Sequence, residues 1–293
     1  MTSVAAARRR LALSRFWAEF RHHRAGMAGL GILVVAVVLA LVAPLFISAD
    51  VTSVVKGTGA KWAAPSLSEP FGTDESGRSI LLMVWWGSRT SLLIGFLAAF
   101  LSIVIGLVVG VVAGHFRGWL SGALMRVTDW FLVLPSLVTA LVLAAILGGS
   151  TITIIMAIGI TTWPATARLI RAQTMAVEAR PYIERSKALG AGHWHITTRH
   201  VLPNVAPLLL ASTTLEVASA IVTESTLAFL GASANKTSWG TMLRASYDFG
   251  AATQGAWWYI IIPGLAILVV VMAFTLVGRA LEAVLNPRLR RAA

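Results

Sequence analysis

Four runs of this chain carry no Asp, Glu, Lys or Arg: Gly26 to Ala49, Thr90 to Phe116, Trp130 to Ala167 and Phe249 to Gly278. A fifth, Ala206 to Leu230, carries only Glu216 and Glu224. A helix needs about 20 mostly apolar residues to cross bilayer hydrocarbon, so each run is long enough to span. The third run is 38 residues long, too long for one crossing. Gly148-Gly149-Ser150 offers a turn inside it, so it reads as two helices, entering near Leu124 and leaving near Ile170. The expectation is an all-α integral membrane protein with six transmembrane helices. Composition agrees: 57 % of residues are hydrophobic and 12 % charged. Such a balance excludes a disordered chain and an ordinary soluble enzyme.

The net charge of +12 would point to nucleic acid in a soluble protein. Here the distribution decides otherwise. With six spans and both ends on one side, eighteen of the 24 Lys and Arg fall in 1–26, 117–126, 168–205 and 279–293. The other six fall in 48–90 and 231–257. Basic residues favour cytoplasmic loops, so N- and C-termini are expected in the cytoplasm, with Arg288, Arg290 and Arg291 on that side. If 130–167 were one span, the bias would be lost. The charges lie in four separate segments, which argues against a nucleic-acid surface and leaves membrane lipid as the surrounding partner. The chain divides into a cytoplasmic segment 1–26, a first transmembrane helix 27–47, an extracytoplasmic loop 48–90, a five-helix domain 91–282 and a tail 283–293. The first apolar run exceeds a signal-peptide core and lacks a good cleavage site, so it reads as an uncleaved span. Trp85-Trp86 and Trp257-Trp258, just ahead of spans two and six, suit the membrane interface.

Enzymatic signatures such as HExxH, GxSxG and GxGxxG after a strand do not occur. With no cysteine in the chain, thiolate metal sites and a Cys nucleophile are excluded. Gly231 to Thr237 is one residue short of a phosphate loop and lacks the Gly before Lys236. His193-x-His195 with His200 reads as a group of solvated loop histidines rather than a metal shell. No catalytic, cofactor or metal residue is expected. Glu216 and Glu224 stand out because ionisable groups inside a span are rare and face the bundle interior or a water-filled path. Eight residues apart, they sit about 12 Å along the helix and about 80° around it. They admit three roles: hydrogen bonds to neighbouring helices, a proton relay, or contact with the charged end of a substrate.

The long basic segment between spans four and five is the most informative. It reads Arg180-Pro181-Tyr182-Ile183-Glu184-Arg185-Ser186-Lys187-Ala188-Leu189-Gly190-Ala191-Gly192-His193-Trp194-His195-Ile196 and closes with Arg199-His200-Val201-Leu202-Pro203-Asn204. Pro181 suits a first helical turn, and Gly190 suits a left-handed helix terminus. Ile196 and Val201-Leu202 predict a second amphipathic turn, stopped by Pro203. Bundle connections usually take 2–8 residues, and this one takes over thirty, which implies a docking surface.

These residues resemble a family. Glu184-x5-Gly190-x11-Leu202-Pro203 is similar to the EAA loop of ABC-importer permeases, the element that inserts into a groove of the ATPase subunit. The subfamily resembles the C-type permeases of dipeptide and oligopeptide importers (OppC/DppC). Several further motifs carry that likeness: Phe71 to Arg78, Glu224 to Gly231, Ser238-Trp239-Gly240, Trp257-Trp258, Pro263-Gly264 and the lead-in from Arg15-Phe16 to Gly29. Departures are Arg185-Ser186 in place of the loop's small pair, Ser79 in place of Asp, and Gly278-Arg279 with Asn286-Pro287-Arg288 near the end.

The resemblance implies a type I ABC importer permease fold, with 91–282 as its transmembrane domain and a coupling loop at about 171–205. The loop's contact residues would be Pro181, Tyr182, Glu184, Ala188, Leu189, Gly190, His200, Leu202, Pro203 and Asn204. It implies a non-catalytic bacterial inner-membrane subunit that works by alternating access. The expected partners are a second permease, two ATPases that bind ATP and Mg, and an extracytoplasmic solute-binding protein. Similar subunits handle dipeptides, longer peptides, glutathione-like compounds and nickel chelates. The rival reading is a stand-alone secondary transporter or channel using Glu216 and Glu224.

Overall fold

The computed structural model describes residues 14, 16–53, 57, 59–232 and 236–285. Arg15, the centre of the loop at 231–237 and the tail from Asn286, with Arg288, Arg290 and Arg291, lie outside the described residues. Among the described residues the architecture is helical, apart from one bridge between Thr73 and Ser79.

Helix α1 (Arg24–Phe46) leads into a 3-10 turn (Ala49–Thr52). A long loop then reaches α2 (Ile80–His115), which turns at Gly118 into α3 (Trp119–Val133) and α4 (Ser136–Ile146). The Gly148-Gly149 turn, with Ser150 capping Thr153, starts α5 (Thr151–Glu178). Then follow α6 (Pro181–Ala188) and α7 (His193–Ile196). A π turn (Thr197–Val201) joins α7 to α8 (Leu202–Phe229), and α9 (Trp239–Asp248) and α10 (Trp258–Leu285) complete the chain.

Five of these helical stretches are long and apolar enough to cross a bilayer, namely α1, α2, α5, α7–α8 and α10. The pair α3–α4 meets the same test but is bent by 90°. Contacts between helix ends show that it crosses too. His115 at the end of α2 bonds Glu178 at the end of α5, so these termini share a first end of the bundle. Thr151, which starts α5, lines a cavity with Thr52 and Arg89 at the second end. The intervening chain therefore traverses the bundle. The same reasoning puts Phe20, Gly26 and Ala280 at the first end and Thr73, Trp62, Trp258 and Tyr259 at the second. Six crossings result, and the two charge-defined sets of loops fall at opposite ends.

Four local expectations change. The third crossing is broken rather than continuous, because Pro135 forces Leu134 into extended backbone. Helix α2 begins at Ile80, so Trp85-Trp86 lie inside its second turn, where Trp85 Nε1 donates to Leu39 O at 2.6 Å. Pro203 does not stop a helix: it sits in the first turn of α8, where its missing N–H costs nothing, and the helix runs on to Phe229. The connection between spans four and five is consequently shorter than the charge pattern implies, since α5 extends to Glu178 and the next membrane helix begins at His193.

Helices α2 and α5 form the most extensive pairing. Lipid chains are as apolar as leucine, so helices in a bilayer associate through close packing rather than water exclusion. Gly106, Gly110 and Gly114 repeat every four residues and turn one face of α2 to α5. A β-carbon at Gly110 would meet Ala167 O at 2.6 Å and Ile170 Cβ at 2.7 Å; at Gly106 and Gly114 it would strike Thr166 and Thr174. Gly110→Val should therefore lower stability by about 1–3 kcal/mol, the usual range for overpacking, read as a reduced midpoint of thermal unfolding in detergent. Gly122→Ala, where nothing lies within 4 Å, should leave the midpoint in place.

Candidate functional site

The segment after α5 is held to the first end of the bundle from below and exposed above. Helix α6 starts with Pro181 in its first turn and ends in a Schellman motif. In that motif Gly190 N–H donates to Lys187 O at 2.9 Å and Ala191 N–H to Ser186 O at 3.1 Å, with Gly190 at φ +85°. Only Ile183 of α6 is buried; it joins Val111, Ile170, Val177, Ile196, Val201 and Val205 in a small apolar cluster. Pro181, Tyr182, Glu184 and Ala188 are exposed. Leu189 is 84 % exposed and Trp194 80 %. Two large apolar side chains in water at the tip of a folded loop form a surface suited to a partner. Behind them, Tyr182 and His200 pack ring to ring at 5.7 Å, and Asn204 Nδ2 donates to His200 O at 2.7 Å. Leu202 packs partly buried against the apolar cluster, while Pro203 faces outward. The structure thus gathers the loop residues on one end of the bundle.

A polar node that sequence reading missed fixes this loop. Glu178 Oε1 lies 2.6 Å from His115 Nδ1, and Lys187 Nζ donates to Glu178 Oε2 at 2.6 Å. His115 Nε2 is 2.8 Å from His193 Nδ1. The Glu178 and His115 side chains are almost fully buried. One carboxylate thereby ties α2, α5, α6 and the start of α7 together. His193 is solvent-exposed as expected, yet it is bonded within this node rather than free. The signal lay in the sequence as two oddities: a histidine closing an uncharged run, and a lone acid in the basic stretch 168–180. Among the described residues, no group of three or more His, Cys, Asp or Glu has metal-binding geometry.

The two membrane glutamates are placed apart. Ser102 Oγ of α2 donates to Glu216 Oε1 at 2.7 Å, midway through the bundle. Glu224 is 1 % exposed. Hydroxyls of Ser91, Ser225 and Ser238 surround it, from α2, α8 and the N-cap of α9. At the second end, Asp74 accepts from Arg78 Nε and from the backbone N–H groups of Ser76 and Arg78, while Arg78 also reaches Glu75 and Thr52 O. Burial, with Asp74 beside it, pushes the Glu75 carboxyl above its usual range despite Arg78. This network closes the loop ahead of α2 over the bundle.

Six crossings, an apolar exterior and a folded, outward-facing loop at one end define a polytopic membrane protein. The chain belongs to the family described as the binding-protein-dependent transport system inner membrane component, matched over residues 102–291. Residues 12–56 match the N-terminal transmembrane domain of oligopeptide transport permease C. It is similar to the di/tripeptide transport system permease protein DppC of Pseudomonas aeruginosa, at 36 % identity over 96 % of this chain and 94 % of the relative. It is also 37 % identical to the dipeptide transport system permease protein DppC of Escherichia coli, over 95 % of this chain and 94 % of the other. A chain of the MetNI methionine ABC transporter, solved in inward-facing conformations, shares the fold with a TM-score of 0.54 at 20 % identity, covering 68 % of this chain and 94 % of that one. The chain is a non-catalytic ABC importer permease, a multi-pass protein of the bacterial inner membrane.

Removal of the central carboxylate tests the node. Glu178→Ala should expose Arg185 and Lys187 to trypsin roughly fivefold more, the effect of losing about 1 kcal/mol of local stability, while membrane insertion is retained. Unchanged cleavage would mean that Glu178 does not hold the loop.

Proposed function

We propose that this permease carries di- or oligopeptides inward across the membrane. It forms the path with a second, homologous permease and couples to two ATPases through residues 181–203. Full-length similarity to dipeptide permeases is the observation that carries the substrate reading. ATP and Mg are bound by the ATPases, and a solute-binding protein delivers the peptide to the second end of the bundle. The first end, with the loop, the start of α1 and the end of α10, faces the cytoplasm; the charge bias supports this orientation.

The exposed Leu189, Trp194, Tyr182 and Glu184 fit a groove of the ATPase, and Gly190 sets the angle at which they are presented. ATP-driven closure moves the grooves, and differential contact of the loop with the two ATPase states shifts the permease between its inward and outward forms. His200, Leu202, Pro203 and Asn204 pass the motion into α8, and the Glu178 node passes it into α2 and α5. Glu216 serves as a polar tie between α2 and α8, and its bond from Ser102 supports that role over a proton relay. For Glu224 the same role rests on the serines of α2 and of the α9 N-cap that stand beside it, since it also accepts from Ser225 of its own helix. Reporters fused after Ser66 should be accessible from outside, and reporters after Lys187 from the cytoplasm; the reverse pattern would overturn the orientation.

Gly190→Val provides the functional test. At φ +85° a side chain costs on the order of 1–2 kcal/mol, small beside six packed crossings. Insertion and pairing with the second permease should survive, whereas uptake and substrate-stimulated ATP hydrolysis should fall together by about tenfold. Gly192, at φ −73° with nothing within 4 Å, should tolerate alanine. Normal uptake by Gly190→Val would exclude the loop as the coupling element.

A further inference from the structure

An arginine lies inside the second crossing with no carboxylate to meet it. Arg89 stands nine residues into α2, with its guanidinium carbon 4.7 Å from the centroid of the Trp86 ring. All twelve Asp and Glu of the chain fall among the described residues. None forms an ion pair with Arg89 or with Lys236 there. Two other cations at this end behave differently: Arg78 pairs with Asp74 and Glu75, and Arg244 with Asp248. A charge within a span is costly and marks a functional position when it faces a polar cavity.

Arg89 faces such a cavity. Its volume is about 320 Å³, at the lower edge of the 300–1,000 Å³ typical of small-molecule sites. Four segments of the second end converge on it: Thr52 from the 3-10 turn, Thr90 from α2, Thr151 from the start of α5, and Lys236 with Thr237 ahead of α9. Two cations and four hydroxyls line it, with no acid. The N-terminus of α5 adds unpaired N–H groups and the positive end of its dipole. The guanidinium carbon lies over the Trp86 ring, and no hydrogen bond among the described residues takes up the Arg89 N–H groups, which suit a planar, two-oxygen acceptor.

We propose that Arg89, seconded by Lys236, binds the carboxylate of the peptide as it enters the translocation path. The site rests on the peptide-importer reading above and adds to it a point of recognition in the permease itself. Arg89 makes the two-pronged contact, Lys236 supplements the field from the rim, and the hydroxyls of Thr90, Thr151 and Thr237 donate to the remaining lone pairs, that of Thr52 being already given to Ala49 O. A phospholipid headgroup phosphate offers the same oxyanion chemistry, so the test separates the two sources.

The experiment uses the complete transporter in vesicles and a dipeptide ending in a diazirine-bearing leucine, as free acid and as C-terminal amide. On illumination, the free acid should label segments 86–93 and 236–237 about tenfold more than the amide. Arg89→Gln should abolish that preference, and Arg89→Lys should restore part of it. Equal labelling by acid and amide overturns the proposal, as does labelling elsewhere in the chain. Loss of the second permease from the Arg89→Gln complex also overturns it, by marking Arg89 as that subunit's ion-pair partner. Weaker labelling in phosphatidylglycerol than in phosphatidylcholine vesicles would assign the site to a lipid headgroup instead. ATP-driven dipeptide uptake by the wild-type vesicles is measured alongside. Absence of uptake sinks the peptide reading itself, whereas uptake with equal labelling sinks only the site.

Discussion

The contact between α2 and α5 is the constraint on which the rest of this permease depends. In lipid, two apolar helices gain little from hiding their side chains, and a stable pair requires backbones close enough for dense van der Waals contact. The repeat of Gly106, Gly110 and Gly114 provides that closeness over about two turns. Because the pair is long and tight, both its ends are defined. At one end His115 and Glu178 are brought within hydrogen-bonding range, which anchors the exposed loop. At the other, Arg89 and Thr151 border a common cavity. The docking surface and the proposed entry site are opposite consequences of one helix–helix contact.

Much of this was legible in the sequence, for reasons that are local. An uncharged run of twenty or more residues has few alternatives to a membrane span, and Gly148-Gly149 or Gly190 announce turns that only glycine makes cheaply. The distribution of Lys and Arg divided the loops into two sets before any geometry was known, and the structure puts those sets at opposite ends. Prolines were harder to read. Pro135 breaks a crossing within an uninterrupted apolar run, whereas Pro203 permits one, because the effect of proline depends on whether its position falls inside a helix or in its first turn. Sequence alone does not fix that register.

The polar contacts were the least legible. His115 and Glu178 are 63 residues apart, and Ser102 and Glu216 are 114 apart. Nothing local marks either pair. They meet because packed helices of similar length bring distant residues to one height in the bundle. Glu216 and Glu224 were conspicuous as charges inside a span, but their partners are serines, which carry no charge and leave no trace in a hydropathy pattern. Arg89 escaped notice because it falls at the margin of an uncharged run and was counted with the outer loop. Its position nine residues into α2 emerges only when the helix is seen to start at Ile80.

The absence of a stop at Pro203 has a mechanical consequence. From His193 to Phe229 the chain stays helical over 37 residues, through the π turn at Thr197–Val201 and past Pro203 and Pro207, a length of about 55 Å at 1.5 Å per residue. A hinge at the membrane surface would absorb a push on the loop as a local bend. A helical path with no loop in it passes part of the push on as rotation of the element, with the π turn and Pro207 as the places where it bends. A tilt of about 5° around mid-height sweeps each end of an element of this length through about 2 Å, comparable to the small shifts that packed helices accommodate by sliding. Glu224 and the turn at Gly231 ride on the far arm. The chain thus contains a lever lying beside the tight helix pair, through which work done at one face of the membrane reaches the other.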